Sequence, residues 1–385
     1  MTYWKLSFIS IILCCLPLHA QVHKPNDPEQ VLATVGKNLS YADFHTNSAS
    51  SKSDHKQRLS QIQEFIDLAK TSGDLRYLAY AERLLDQVVD PGDLWDAWLI
   101  NRADIAQYRH DFDAANAALT QLLQRNPDAV QARIMRATLL LSQGRYSDAA
   151  QDCDALVGKV APIYSQGCRS LVKSHQGKLR ASYTEIIPLA ETRLRVDLST
   201  RHWLLAASAE MAERLGDLPA AESYYKQALH IKPADSYVLM QLSDLYLRQQ
   251  RATQVLTLLK NHKNHDALLL RWVHALQLEK QSQPDTDVQR LHTRMAELKQ
   301  VTDTNADPHL RELSYYQLHI QNNATEATRL AAQNWHRSKE KIDLHLLGLA
   351  AKRAGDQSLL TELKNWQHQT GYEDQYLTYL FESKK

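Results

Sequence analysis

Glycine and proline are scarce in this sequence, with 11 residues of each in a chain of 385. A turn-rich β fold needs more of both, so their scarcity argues against that class. Apolar residues make up 44% of the chain and charged residues 23%, a balance that can bury a core and that differs from the composition of disordered chains. Long helices with short connections are therefore predicted, and the expected fold class is all-α.

Long apolar runs are lacking beyond the N-terminus. There, Lys5 precedes an apolar stretch, Leu6–Leu16, and Ala20 offers a small residue for cleavage. This order is typical of a secretory signal peptide, and the stretch is shorter than the ~20 residues of a membrane-spanning helix. We expect residues 1–20 to be removed on export, which would place the mature chain in the periplasm without an integral membrane segment.

An excess of charge of one sign is also lacking. The chain has 45 lysines and arginines against 44 acidic residues, and loss of Lys5 with the signal peptide would leave no formal net charge. Proteins that bind nucleic acids or anionic membranes carry a basic surface. Neither partner is predicted.

Cysteine is limited to four residues. Cys14 and Cys15 lie in the signal, where Leu13 replaces the small residue that a lipoprotein signal requires, so lipid anchoring is not expected. Cys153 and Cys168 would enter an oxidising compartment, where an isolated pair tends to bond. We predict a disulfide between them, with two buried free thiols as the alternative.

Motifs of catalysis and of metal binding are missing as well. The sequence has no glycine-rich phosphate loop, no Gly-x-Ser-x-Gly elbow, no His-Glu-x-x-His and no Cys-x-x-Cys. Among 17 histidines, His262 and His265 stand three apart, at a predicted helix end where histidine can bond to free carbonyl groups. We therefore predict no enzyme activity, no cofactor and no metal.

What the sequence does contain is a repeat with a period of 34 residues. The stretch that begins at position 100 aligns without a gap on the stretch that begins at position 134, which places Ala103 on Ala137 and Ala115 on Ala149. Small residues at these places allow two helices to cross closely, because a larger side chain would push the helix axes apart. Later units hold Ser170, Ala209 and Ser243 at the place of Ala103.

Each unit is predicted to be two helices joined by a tight turn. Apolar residues recur three and four apart on either side of Gly144, Gly177 and Gly216. Pro127 and Pro233 should end second helices, because proline disfavours the helical conformation of the residue before it.

At this point residues 98–262 resemble the tetratricopeptide repeat family, since five consecutive units carry its order of Gly or Ala, an aromatic residue, Ala and Pro. The resemblance implies a right-handed α-solenoid of stacked antiparallel helix pairs. The stretch "HLRELSYYQLHI" with "ATRLAAQNW" is similar to the tail of a group of exported bacterial repeat proteins. That similarity supports the architecture and implies no activity.

The helical rhythm continues on both sides of this region and predicts about nine pairs and a terminal helix. We expect a signal peptide at 1–20, an extended or disordered lead-in at 21–55, tetratricopeptide-like repeats at 56–280, and further helical pairs at 281–385 that continue the solenoid.

Arg102, Arg136 and Arg169 recur at nearly the repeat period, so stacking would align three guanidinium groups on neighbouring first helices. If these arginines are exposed, the column would bind carboxylates or phosphates of a partner. The alternative is structural, with each arginine paired to an acid of its own fold, as Arg136 could pair with Asp152.

Further candidate binding residues fall on the first-helix face, which lines the groove in the family that the chain resembles. They combine aromatic and methionine side chains with polar ones, which is typical of a peptide-binding strip. A mixed solvated surface is the alternative. These candidates are Asn101, Asp104, Tyr108, Met135, Thr138, Trp203, Glu210, Tyr237, Met240, Asp244 and Arg248.

Together these features predict an exported scaffold that binds a protein or peptide on its concave surface. One alternative is an assembly subunit of an envelope complex that self-associates through its terminal pairs. Another is a metal-binding accessory protein that uses its histidines. The identity of the partner and the oligomeric state do not follow from the sequence.

Overall fold

The structure, a computed structural model, describes residues 52–192, 196–280, 285–302 and 309–382. The predicted signal peptide lies outside these residues, as does most of the predicted lead-in. The first helix begins at Lys52, a few residues before the predicted end of the lead-in. The helices are α1 (Lys52–Ser72), α2 (Leu75–Asp86), α3 (Trp95–Tyr108), α4 (Phe112–Arg125), α5 (Val130–Ser142), α6 (Tyr146–Asp154), α7 (Pro162–Lys173), α8 (Leu179–Ala190), α9 (Leu198–Arg214), α10 (Leu218–Ile231), α11 (Ser236–Arg248), α12 (Ala252–Leu259), α13 (Asp266–Leu278), α14 (Asp285–Thr302), α15 (Leu310–Tyr315), α16 (Ala324–Trp335), α17 (Lys341–Ala354), α18 (Gln357–Thr370) and α19 (Gln375–Glu382).

The helices form successive pairs, from α1 with α2 to α17 with α18, and α19 follows as a single helix. A π-helical turn, Tyr316–Ile320, extends α15. Within the described ranges no strand is present, so the all-α class and the solenoid of helix pairs are confirmed. The first helices of neighbouring pairs also pack against each other, as α5 does with α7 and α11 with α13, which places them on the inner side of the curve.

The small residues of the repeat lie where helices cross. Ala103, Ala115 and Ala149 are fully buried and Ala137 is nearly so. Each sits in an apolar cluster built from both helices of its pair, so its size sets how closely the two helices approach. The expectation that these alanines pack inside is confirmed.

The turn inside each pair needs one residue in the left-handed region. Gly144 and Gly216 supply it with φ of 75° and 78°, at little steric cost. His110 and Gln250 occupy the same place in their own units with φ of 56° and 59°, although they carry side chains. Asp217, the next residue after Gly216, caps α10 by accepting the backbone N–H of Ala220, which fixes where the second helix starts.

Repeats far apart in sequence also touch. The carbonyl oxygen of Ser142 accepts the N–H of Lys339 at 2.6 Å, and the N–H of Leu179 donates to Glu373 across 194 residues at 3.0 Å. Within residues 52–382 the C-terminal pairs therefore return to the helix ends of the N-terminal pairs. In a simple solenoid each repeat contacts only its neighbours, so these contacts are an addition to the repeat plan.

The largest apolar cluster runs through α8 to α13 and also takes in Ile342 of α17. A second cluster joins Leu269 and Val273 of α13 to Leu346 of α17. Helix α17 therefore packs against the inner first helices, and α9, α11 and α13 are buried on nearly every face.

Candidate functional site: the inner helix face

The inner face begins at α3, where three candidates contact α1. The amide of Asn101, which is buried, donates to the carbonyl of Leu59 at 3.4 Å, and Asp104 pairs with Lys70 at 2.7 Å. The hydroxyl of Tyr108 donates to a backbone carbonyl of α1 at 3.0 Å. Burial, followed by the charges of Glu312 and Asp266, raises the pKa of Tyr108 to about 12, so this hydroxyl stays protonated. These side chains join α3 to its neighbour.

The three arginines of the predicted column have different surroundings. Arg136 makes two hydrogen bonds of 2.7 Å to the buried carboxylate of Asp152, the pairing considered in the structural alternative. Arg169 pairs with Asp154 at 3.0 Å and remains partly exposed. Arg102 is exposed, and its guanidinium lies over the ring of Trp98 at 5.3 Å. The column therefore contains one structural arginine between two that reach the surface.

The next four candidates also differ in how exposed they are. Met135 is half-buried beside the α3–α5 cluster, and Thr138 is exposed one turn further along α5. Trp203 packs between two clusters, where its ring would lie 3.0 Å from a Cβ placed on Gly167. Met240 is 6% exposed and belongs to the core, so the structure corrects its expected place on the groove surface. The reason is that Met240 packs inside the apolar cluster that joins α8–α13 to Ile342 of α17.

The remaining candidates lie on α9 and α11, where charged side chains meet partners. Tyr237 is 36% exposed and its hydroxyl donates to Glu210 at 3.0 Å. Burial and then the charges of Glu210 and Glu340 raise the pKa of Tyr237 well above its usual value. Asp244 accepts two hydrogen bonds, at 2.9 and 3.0 Å, from the buried guanidinium of Arg271.

Arg248 belongs to a buried group that we call the Glu213 clasp, formed by Glu213, Arg248, Tyr225 and Lys341. The carboxylate of Glu213 accepts hydrogen bonds from Lys341, from Arg248 and, at 2.7 Å, from the hydroxyl of Tyr225. Burial by itself would raise the pKa of Glu213, but Lys341 and Arg248 hold it well below its usual value. The clasp fastens α17 to α9 and α11.

The sequence did not predict this clasp. Glu213 lies 128 residues from Lys341, and no repeat spacing relates the two positions. The available signal was a Glu-Arg pair, Glu213 and Arg214, at the end of a first helix that is otherwise nearly all buried. Adjacent buried charges require partners, and their location depends on how the pairs stack.

A second buried carboxylate fixes the start of α17. Asp343 pairs with Arg311 at 2.6 Å and also accepts hydrogen bonds from Ser338 and Asn334. Arg311 in turn bonds to Glu340 at 2.7 Å. Burial, joined by the like charges of Asp343 and Glu210 against the opposing charge of Arg311, raises the pKa of Glu340.

The inner face thus has two parts. On α3, α5 and α7 the side chains of Arg102, Met135, Thr138 and Arg169 remain partly or fully exposed, and we call these four the open strip. On α9, α11 and α13 most of the corresponding side chains are enclosed by α15, α17 and the residues that follow α18, although Tyr237 remains 36% exposed.

The predicted disulfide is present between Cys153 at the end of α6 and Cys168 in α7, with the two Cα atoms 5.4 Å apart. Both cysteines are buried in one apolar cluster. The bond joins one pair to the next across a loop of 15 residues, which on the chain-entropy account stabilises the fold by about 3 kcal/mol.

Neither a metal-binding cluster nor a membrane-spanning helix occurs among the residues that the structure describes. In those residues no three His, Cys, Asp or Glu side chains come together in a way that could hold a metal ion. His265 instead packs against Gly73 of the first pair. Over the same residues, every helix is too short or too polar to cross a bilayer.

Stacked antiparallel helix pairs with small residues at their crossings define a helical-repeat protein. A sequence model of the tetratricopeptide repeat matches residues 100–164, which form α3 to α6 and the start of α7. Residues 100–164 therefore match the tetratricopeptide repeat family, and the helix pairs on either side continue the same architecture.

Three solved structures illustrate this likeness. A tetratricopeptide repeat protein from Parabacteroides merdae is 14% identical, with 77% of this chain and 99% of that chain covered and a TM-score of 0.33. The human IFIT1 dimer with PPP-AAAA is 13% identical, covers 77% and 69%, and scores 0.43. The tetratricopeptide domain of P58(IPK) is 18% identical, covers 86% and 96%, and scores 0.27. TM-scores this low carry no information about function, and no curated protein matches the sequence.

Proposed function

We propose that this protein is an exported scaffold that binds another protein or a peptide along the open strip of α3, α5 and α7. Tetratricopeptide arrays serve as scaffolds for protein interaction, because stacked pairs hold side chains from several helices on one rigid surface. Beyond this general role, we propose that binding occurs on the open strip and that the chain is exported.

The observation that carries the proposal is the contrast between the two parts of the inner face. Most side chains of α9, α11 and α13 are buried by the chain itself, with Tyr237 as an exception, whereas Met135 and Thr138 of α5 remain accessible between Arg102 and Arg169. An apolar side chain between two cationic ones suits a partner with an apolar residue flanked by carboxylates.

Export is supported by the signal-like sequence at 1–20 and by the disulfide, since such bonds persist in oxidising compartments. The self-associating and metal-binding alternatives gain no specific support from the described residues.

Site-specific crosslinking in the native host tests the proposal. A photoreactive amino acid at Thr138 should crosslink one protein, whereas the same group at Gln151, which is exposed on the second helix α6, should not. Mass spectrometry identifies the crosslinked protein, and its affinity is then measured with both proteins purified.

The expected result is that Thr138→Arg weakens binding at least tenfold, because a large cation would stand at the centre of the strip, while Gln151→Arg leaves binding unchanged. Both variants should retain the circular dichroism spectrum of the wild type. Equal crosslinking from the two positions, or full affinity of Thr138→Arg, would contradict the proposal.

A further inference from the structure

The residues between α18 and α19 are held in an unusual way. We call residues 371–376 the C-terminal segment; positions 372–374 belong to neither helix. Tyr372 and Asp374 are 2% and 3% exposed, although a connection between helices normally lies at the surface. Glu373, which lies between them, bonds to the start of α8 and the end of α9, more than 150 residues earlier in the chain.

The first half of the segment is recognised by the ends of α7, α8 and α9. The ring of Tyr372 lies 4.1 Å from the guanidinium of Arg214 and 5.5 Å from the ring of His175. The carboxylate of Glu373 accepts the N–H of Leu179, the first residue of α8, at 3.0 Å. The backbone carbonyl of Glu373 accepts a hydrogen bond from Arg214 at the same distance.

The second half is recognised by α11, α17 and the turn before α10. Asp374 accepts a hydrogen bond from His345 at 2.8 Å, and the ring of Tyr376 lies 4.8 Å from the guanidinium of Arg248. The side chain of Gln375 lies against Gly216, where a Cβ atom would overlap it. Each position from 372 to 376 therefore contacts at least one residue of the surrounding repeats.

The surface that holds the segment is complementary to it in charge. Arg214 is 1% exposed, and its other hydrogen bonds go to the hydroxyl and the carbonyl of Ser174. Over the described part of the chain, no carboxylate forms an ion pair with this guanidinium. Without the segment, the surface would present Arg214 and the free N–H at the start of α8 to solvent. These groups favour an acidic peptide, and the segment supplies Glu373 and Asp374.

We propose that this row of helix ends is a recognition surface for an extended peptide, and that residues 371–376 are its internal ligand. The peptide that fits has an aromatic residue, two acidic residues, a polar residue and a second aromatic residue, as in Tyr-Glu-Asp-Gln-Tyr. A partner that presents this pattern competes with the chain's own segment. This surface is separate from the open strip, so its test does not depend on the proposed function.

The probe is a fluorescent synthetic peptide with the sequence of residues 369–382. It should bind weakly to the wild-type chain, because the site is filled. The full-length double variant Tyr372→Ala/Asp374→Ala, whose own segment has lost its aromatic anchor and its bond to His345, should bind the peptide at least tenfold more tightly. Fluorescence anisotropy gives both dissociation constants, and light scattering shows whether a second copy donates its segment instead.

Two controls distinguish specific recognition of the peptide from a general destabilisation of the fold. Lys364→Ala changes an exposed residue of α18 and should leave peptide binding at the wild-type level. A peptide that carries Tyr372→Ala and Glu373→Gln should bind the double variant at least tenfold more weakly than the native peptide. Equal affinity of both peptides, or no binding to a double variant that retains its helical content, would overturn the proposal.

Hydrogen exchange of the wild-type chain decides the question if the double variant does not fold. The proposal expects the amides of 375–382 to exchange at least tenfold faster than those of α11, because the segment leaves its site while the repeats stay folded. Exchange at the same rate in both places would show that the segment separates only on global unfolding, and the proposal would be wrong.

Discussion

At the scale of single residues, side chains that the repeat places in equivalent positions have different roles. Arg102 and Arg136 are one period apart, yet Arg102 lies on the surface over Trp98 while Arg136 binds the buried carboxylate of Asp152. The difference follows from the second helix of each unit, because only the later unit places an aspartate opposite its arginine. The position of a residue in the repeat therefore predicts where its side chain lies, but it does not predict which residue that side chain contacts.

Substitution of these two arginines should separate their roles. Arg136→Ala removes two of the hydrogen bonds to Asp152 and leaves that carboxylate to Arg133, so we expect a loss of about 2 kcal/mol in the free energy of unfolding. Arg102→Ala should change it by less than about 0.5 kcal/mol. Urea denaturation followed by circular dichroism measures both. Equal effects of the two substitutions would argue against the structural role of Arg136.

At the scale of helix pairs, the turn inside each unit is the element that most constrains its residue. Gly216 adopts a left-handed conformation and also faces Gln375, whereas Gln250 adopts the same conformation at an exposed place, one period later. A side chain in this conformation costs free energy that glycine does not. The repeat therefore tolerates departures from glycine where nothing packs against the turn.

Exchanges at these two turns should have opposite effects. Gln250→Gly should stabilise the chain by about 0.5 kcal/mol, since relief of the backbone strain slightly exceeds the added entropy of the unfolded chain. Gly216→Ala should destabilise it by more than about 1 kcal/mol, because the new methyl group is strained and also displaces Gln375. Thermal melting of the two variants beside the wild type gives the comparison. A loss of stability in both would contradict this account of the turns.

At the scale of the whole described molecule, several histidines are buried in the neutral form. Burial lowers the pKa of His110 and of His274 to about 4, and burial together with Arg214 lowers that of His175 to about 3. After burial, the positive charge of Arg311 in the C-terminal pairs also lowers the pKa of His110. The contacts that fasten α17 and α19 include His345, which lies between Arg248 and Asp374.

These histidines predict that the fold weakens in mild acid. An unfolded histidine takes up a proton near pH 6.5, while the folded His110 and His274 do so only near pH 4. Stability is therefore complete above pH 6.5 and falls as the pH decreases from 6.5 toward 4. Melting temperatures between pH 7.5 and pH 4.5 should show this decline, and His274→Gln should make it shallower. A melting temperature that stays constant over that range would contradict the prediction.

The sequence by itself determined the helix pairs, their number, the small residues at their crossings and the disulfide. Each of these depends on residues in one unit or in two adjacent units, where a period of 34 residues brings equivalent positions together. The pairing of Arg136 with Asp152 was accessible for the same reason, since both belong to one unit. Whether Arg102 is exposed or paired did not follow from the sequence, because that depends on the residue that the second helix of its unit places opposite it.

Only the tertiary structure decided how the C-terminal pairs use the inner face. Whether distant pairs meet depends on the small rotation from each unit to the next, which accumulates along the solenoid and leaves no local pattern in the sequence. The Glu213 clasp, the burial of Met240 and the enclosure of Tyr372 by Arg214 all result from that accumulated rotation. For this reason the helices could be predicted from their own residues, while the occupant of their inner surface could not.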